Sequence, residues 1–205
     1  GVDLAEVIPF AAERCDTAVI GLFRKKLTLE DKLAKLAAFG CIVNEGVRED
    51  DLFLFQDRGA LEAAPYKDLV ETLAQSLEEE PCTPICDRLW MCDYERIEDH
   101  GDYVSVLERL ERMTGKALGL SDVQDCVDED GTWVSFVCAG ESVRWELAFD
   151  SDWMDGKVLG LYADLLAAEG AALRLYMGSN HEEYGQEVLL AALEPSRVNA
   201  FSKLV

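Results

Sequence analysis

Positive charge is what this sequence has least of. It carries 19 Lys+Arg against 41 Asp+Glu, a formal net charge of −22 at pH 7. Phosphate binding needs a basic footprint, so nucleic acid is excluded as a partner. Histidine is almost as scarce: only His100 and His181 exist. Neither lies near a Gly-x-Ser-x-Gly nucleophile elbow, so a hydrolase triad has no support. No glycine loop with a following Lys cradles a phosphate; Gly115-Lys116 lacks both the earlier glycine and a preceding strand. No run approaches the roughly 20 apolar residues of a membrane span, so no membrane association is expected. The stretch Val2–Phe23 is apolar in patches but lacks a basic leader before an apolar run, which does not read as a signal peptide.

What is present is a folded domain. Of the 205 residues, 49% are hydrophobic and 9% aromatic, enough to offset ordering entropy and bury a core. The excess charge therefore sits on a folded surface, where self-repulsion weakens the fold slightly unless solubility or a partner requires it. The seven cysteines are odd in number, and several lie in apolar settings such as Phe39-Gly40-Cys41-Ile42-Val43 and Phe136-Val137-Cys138-Ala139. They read as reduced thiols in a cytoplasmic protein.

Two periodicities divide the chain. In the first half, Asp3 to about Lys26 reads as one or two helices around Pro9. Thr28-Leu29-Glu30-Asp31 resembles a capping box before Leu29, Leu33, Leu36 and Ala37, with Gly40 placed to end that helix. Pro65 opens a helix whose stripe is Tyr66, Leu69, Val70, Leu73 and Leu77, ended by Glu78-Glu79-Glu80-Pro81. Asp102 caps another, with Tyr103, Val106, Leu107, Leu110 and Met113 inward and Gly115 closing it. In the second half the period becomes two. Val143, Trp145, Leu147 and Phe149 alternate with polar neighbours and pair with Trp133–Cys138 as a hairpin. A helix from about Gly156 to Glu169 follows. A second strand pair, Leu173–Met177 and Glu187–Leu193, comes next, and Pro195 opens a terminal helix. The expected architecture is one α+β domain over residues 1–205. Its helical lobe runs to about 115, and an antiparallel sheet with packed helices, in the order β-β-α-β-β-α, fills 116–205.

Three constellations bear on chemistry. Asp125-Cys126-Val127-Asp128-Glu129-Asp130-Gly131 and Asp150-Ser151-Asp152-Trp153-Met154-Asp155-Gly156 invite a calcium reading. Aligning either Gly with position 6 of an EF-hand loop puts wrong residues elsewhere: Cys126 and Val137 at positions 1 and 12, or Met154 and Leu161 at 5 and 12. Both read as polar turns, the second leading into a helix. Cys82, Cys86, Cys92 and His100 match a Cys3His donor set, but only the first pair has tight spacing, and buried thiols explain them better. Carboxylate pairs for acid/base hydrolysis occur by chance among 41 acids.

The third constellation is the acidic surface itself. Between Ala117 and Gly156 there are ten acids and one base, Arg144. The acidic stretch Asp122–Asp130 with Glu141–Asp155, and the segment Trp145–Trp153, in general character resemble bacterial immunity proteins, small cytoplasmic inhibitors that neutralise secreted toxins. The resemblance covers roughly the C-terminal half. It implies binding of a basic protein and no catalysis, and it carries over no functional residue, since such proteins share no catalytic motif. The expected contact set is Asp125, Asp128, Glu129, Asp130, Asp150, Asp152, Trp153 and Asp155, with no cofactor. The two loops that supply it both lie opposite the Ala139–Glu141 turn. An adaptor role without a toxin is the other binding alternative. Because the cysteine spacing is irregular, purified protein should contain no stoichiometric zinc; elemental analysis finding about one zinc per chain would promote the metal reading instead.

Overall fold

The computed structural model describes residues 27–77, 82–178 and 185–205. The expected helices within 1–26, the Glu78–Pro81 stop and His181 lie outside the described residues. Among the described residues the architecture is α+β, with three small antiparallel sheets and helices distributed along the chain. This corrects the expected division into a helical half and a β-β-α-β-β-α half.

The central element is a strand pair with both faces buried. Strand β3 (Leu89–Asp93) pairs antiparallel with β8 (Glu187–Leu193), and β8 pairs on its other side with β7 (Arg174–Met177). Successive side chains point to opposite faces. Trp90, Cys92, Val188, Leu190 and Ala192 enter one core, whereas Leu89, Met91, Leu189, Ala191 and Leu193 enter the other. The near-continuous apolar runs of β3 and β8 follow from burial on both sides.

The first core is covered by helix α4 (Asp102–Met113), helix α5 (Lys157–Ala168) and a three-stranded meander. The meander runs β4 (Ser121–Cys126), β5 (Thr132–Cys138), β6 (Glu141–Leu147). The hairpin expected between the last two forms, with Trp133 opposite Glu146 and Phe136 opposite Val143. Ala139 and Gly140, both at positive φ, make its two-residue turn. Phe136 and Trp145 meet edge-to-face at 4.8 Å. At the far end of α4 the buried Glu111 carboxylate accepts the Tyr162 hydroxyl at 2.8 Å and the Leu120 N–H at 3.3 Å, tying α4 to α5 and to the approach to β4.

The second core is covered by helices α1 (Leu29–Ala37), α3 (Tyr66–Leu73) and α6 (Val198–Ser202). The Thr28–Asp31 capping box forms as its sequence implies, with Asp31 N–H on Thr28 Oγ1 at 3.2 Å. Helix α2 (Arg58–Ala63) docks on α1 through the buried Lys32, whose ammonium donates to the Leu61 and Ala64 carbonyls at 2.6 Å each. Those carbonyls are left free at a helix C-terminus, where a cation is favourable.

Three departures from the sequence reading have local causes. The α3 stripe stops at Leu73, not Leu77. Met91 N–H takes the Ala74 carbonyl at 2.9 Å and Ile85 N–H takes the Gln75 carbonyl at 3.0 Å. The chain then forms β1 (Ser76–Leu77) against β2 (Thr83–Pro84). Strand β4 escaped period-two analysis because its register shifts between Ser121 and Gln124, where Asp122 sits at positive φ. Phe149, expected on the inward face after Leu147, is 41% exposed, since β6 ends at Leu147.

Leu190 is fully buried at the centre of β8. Leu190→Ala should lower the unfolding free energy by about 2–5 kcal/mol in urea denaturation, the range for a cavity in a well-packed core. A loss under about 1 kcal/mol would show that the central strand is not as tightly packed as described.

Candidate functional site

Three loops converge at the end of the β5–β6 hairpin away from its turn, and specific bonds hold them together. The first is 94–102, leaving β3. The second is 125–131, between β4 and β5. The third is 148–157, between β6 and α5. Register places the latter two side by side, since Thr132 pairs with Leu147. The first joins the third through Ile97 N–H on the Asp152 carbonyl at 2.9 Å and Met154 N–H on the Tyr94 carbonyl at 2.7 Å. Glu95 and Trp153 form an isolated antiparallel bridge between the same segments. The first joins the second through Val127 N–H on His100 Nδ1 at 2.9 Å.

Two of the expected site residues spend their carboxylates on this construction. Asp125 accepts the Gly101 N–H at 2.7 Å and the Val104 N–H at 3.1 Å. It thus caps α4 from a different strand, and Asp102, the expected cap, instead accepts the N–H groups of Glu98 and Asp99. Asp155 accepts Ala148 N–H at 2.8 Å and Lys157 N–H at 3.0 Å, while its own N–H donates to the buried Tyr103 hydroxyl at 2.8 Å. That capture of Ala148 turns the chain away from β5 and carries Phe149 outward. Burial raises the Tyr103 phenol above its ordinary range, so it stays neutral in this role.

The remaining expected residues face solvent or lie near it. Asp128 accepts Asp130 N–H at 3.0 Å, an Asx turn that presents Asp128, Glu129 and Asp130, all exposed. Thr132 Oγ1 locks that turn from below by donating to the Asp128 carbonyl at 3.1 Å. Asp150 is exposed and Asp152 half-buried, on a turn closed by Trp153 N–H to the Asp150 carbonyl at 3.0 Å. Trp153, like Phe149, is 41% exposed.

Sequence reasoning missed the first loop. Glu95, Glu98, Asp99 and Asp102 join Asp125, Asp128, Glu129, Asp130, Asp150, Asp152 and Asp155 to place eleven acids at one end of the molecule, against Arg96 and Lys157. The charge run Glu98-Asp99-His100-Gly101-Asp102 was visible as a turn before a helix, but nothing local joined it to residues 25 or more positions away. The nearby bases are occupied. Arg144 stacks on Trp133 at 4.1 Å and pairs with Glu146 at 2.6 Å, Arg96 lies over Trp90 at 4.9 Å, and Lys157 Nζ donates to the Glu146 carbonyl at 3.0 Å.

The cysteine set does not assemble. Cys82 is exposed, Cys86 is buried in the second core, Cys92 in the first, and His100 is exposed at the acidic end. The alternation of β3 sends Cys92 with Trp90, while Cys86, ahead of the strand, faces the opposite core. Among the described residues, no group of three or more His, Cys, Asp or Glu side chains is placed to hold a metal ion. No helix among them is long and apolar enough to cross a membrane. Comparison with protein-family models, with curated proteins and with solved structures finds no match for this chain.

If Asp125 is the cap of α4, Asp125→Ala should cost about 1 kcal/mol of stability, within the range of about 0.5–2 for lost caps. Asp150→Ala, at an exposed turn, should stay within about 0.5 kcal/mol. Equal effects of the two in urea denaturation would contradict this division of roles.

Proposed function

We propose that this chain is a binding protein whose acidic end captures a basic protein partner. The observation that carries this reading is the convergence of three acidic loops, the third of which carries two part-exposed aromatics, Phe149 and Trp153. Carboxylates alone form a rim that steers encounter and contributes little to residence time. A large, partly exposed aromatic at the centre of such a rim supplies the desolvated anchor of an interface. Asp128, Glu129, Asp130, Asp150, Asp152 and Trp153 form the proposed contact surface. Asp125 and Asp155 shape the loops that present it.

The form of this function that agrees with the class resemblance is neutralisation of a toxin domain with a basic active surface. Fast capture matters to such an inhibitor, and a concentrated negative field accelerates association by roughly 10- to 1000-fold at low salt. The competing explanation is that the acids only keep the protein soluble. That explanation accounts for scattered charge but not for loops tied together so that their charges add.

Affinity capture from the native host, followed by purification of the recovered partner, allows a direct test. Charge reversal of Asp128, Asp130, Asp150 and Asp152 together should slow association by about tenfold or more and flatten its salt dependence. Trp153→Ala should act mainly on dissociation. If both variants keep the fold and neither rate changes, the acidic end is not the interface.

A further inference from the structure

A second grouping lies in the other core and involves none of these residues. The segment after α1 is fastened to the β2–β3 connection by Asn44. Its N–H donates to the Ile85 carbonyl at 2.8 Å, and its side-chain amide donates to the Pro84 carbonyl at 2.8 Å and Asp87 Oδ1 at 2.7 Å. Val43 and Cys86 form an isolated antiparallel bridge there. This clamp makes Cys41 and Cys86, 1% and 0% exposed, neighbours inside the second core, on the same side of the Val43–Cys86 bridge.

The two sulfurs occupy unlike environments. Cys86 lies at the start of the turn that leads through Arg88 into Leu89. The guanidinium of Arg109 sits over the same turn, donating to the carbonyls of Cys86 at 3.1 Å and Leu89 at 2.7 Å. Its Nε and Nη1 are buried with no hydrogen-bond partner, and Nη1 lies 4.0 Å from Asp87 Oδ1, which shares the guanidinium's charge with the turn. The neighbouring Cys41 thiol, with the backbone N–H groups of Arg88 and Leu89 and the Arg109 charge, holds the Cys86 thiol below its ordinary range; the same neighbour and burial push Cys41 up. An attacking thiolate beside a protonated thiol is the division of labour that disulfide exchange requires.

We propose that Cys41 and Cys86 form a redox-active dithiol, which a low-molecular-weight disulfide converts to an intramolecular disulfide stapling the segment after α1 to the β2–β3 connection. The Cys86 thiolate attacks one sulfur of the small disulfide, forming a mixed disulfide and expelling one small thiolate. Cys41 then passes its proton to solvent and attacks the Cys86 sulfur, expelling the second thiolate. Two protein thiols and one small disulfide thus become one protein disulfide and two small thiols. Entry requires local opening of residues 41–44, a stretch without regular structure whose Ile42 is already 60% exposed. Cys82, exposed four positions before Cys86, is the competing partner.

The test is equilibration of the full chain in glutathione buffers graded from reducing to oxidising. It is approached both from reduced native protein and from protein refolded under oxidising conditions, then quenched by alkylation and mapped. The expected result is loss of two of the seven thiols and one cross-linked peptide joining Cys41 to Cys86, reached from both directions. Cys41→Ser should stop at a glutathione adduct on Cys86, and Cys86→Ser should leave Cys41 unmodified. Convergence on free Cys41 and Cys86, or linkage of Cys86 to Cys82, overturns the proposal. An adduct on Cys41 in Cys86→Ser overturns the assignment of Cys86 as the attacking sulfur. None of these outcomes bears on the acidic end, which contains neither residue.

Discussion

The pairing of β3 with β8 is the constraint on which the rest of the structure depends. Two strands almost 100 residues apart in sequence form a septum with no polar face. Each must be covered on both sides, because an exposed apolar face of this size would forfeit the burial that offsets chain entropy. The covering elements divide accordingly. The helices α4 and α5 and the meander cover one face, and α1, α3 and α6 cover the other. Removal of either layer would expose Leu190 or Leu189 with their neighbours, so the layers depend on one another through a sheet that belongs to both.

The acidic end is a consequence of how chain segments leave that septum. Tyr94 follows β3 directly, and it is held by Gln186 just before β8 and by Met154 from the third loop. A loop fixed to rigid strands can hold charges in place that would otherwise separate by repulsion. The fold offsets part of that repulsion by using carboxylates as internal acceptors. Asp125 caps α4 from β4, and Asp155 binds the N–H groups of Ala148 and Lys157. These bonds give two of the eleven acids a structural use and leave others, on exposed turns, free to face a partner. The Cys41–Cys86 pair is placed by the other core and by Asn44. The two proposed activities therefore rest on different layers of one septum and can be tested separately.

Local signals in the chain were legible. Thr28 and Asp31 cap α1, the stripe from Tyr103 to Met113 forms α4, and Thr132–Leu147 folds on its own two-residue turn. Each depends on residues within a few positions of one another. Of the candidate site, the loops around Asp128 and Asp152 were legible from composition and from hairpin geometry, which puts both opposite the turn. Glu95, Glu98 and Asp99 were not, since their place depends on Met154 and Val127 bonding to Tyr94 and His100. The same holds for the uses of Asp125 and Asp155: a side chain that caps a helix from another strand leaves no trace in the spacing around it.

By itself, then, the sequence determined where the chain alternates, where helices start, and that charge is overwhelmingly negative. These follow from side-chain chemistry and short-range periodicity, which the chain carries wherever it is placed. Only the tertiary structure decided that β3 belongs with β8, that Leu77 leaves its helical stripe to become strand, and that Cys86 turns away from Cys92 to meet Cys41. Each of these is a choice between partners of similar local merit. It is settled by which long-range pairing leaves no apolar face and no backbone group unsatisfied.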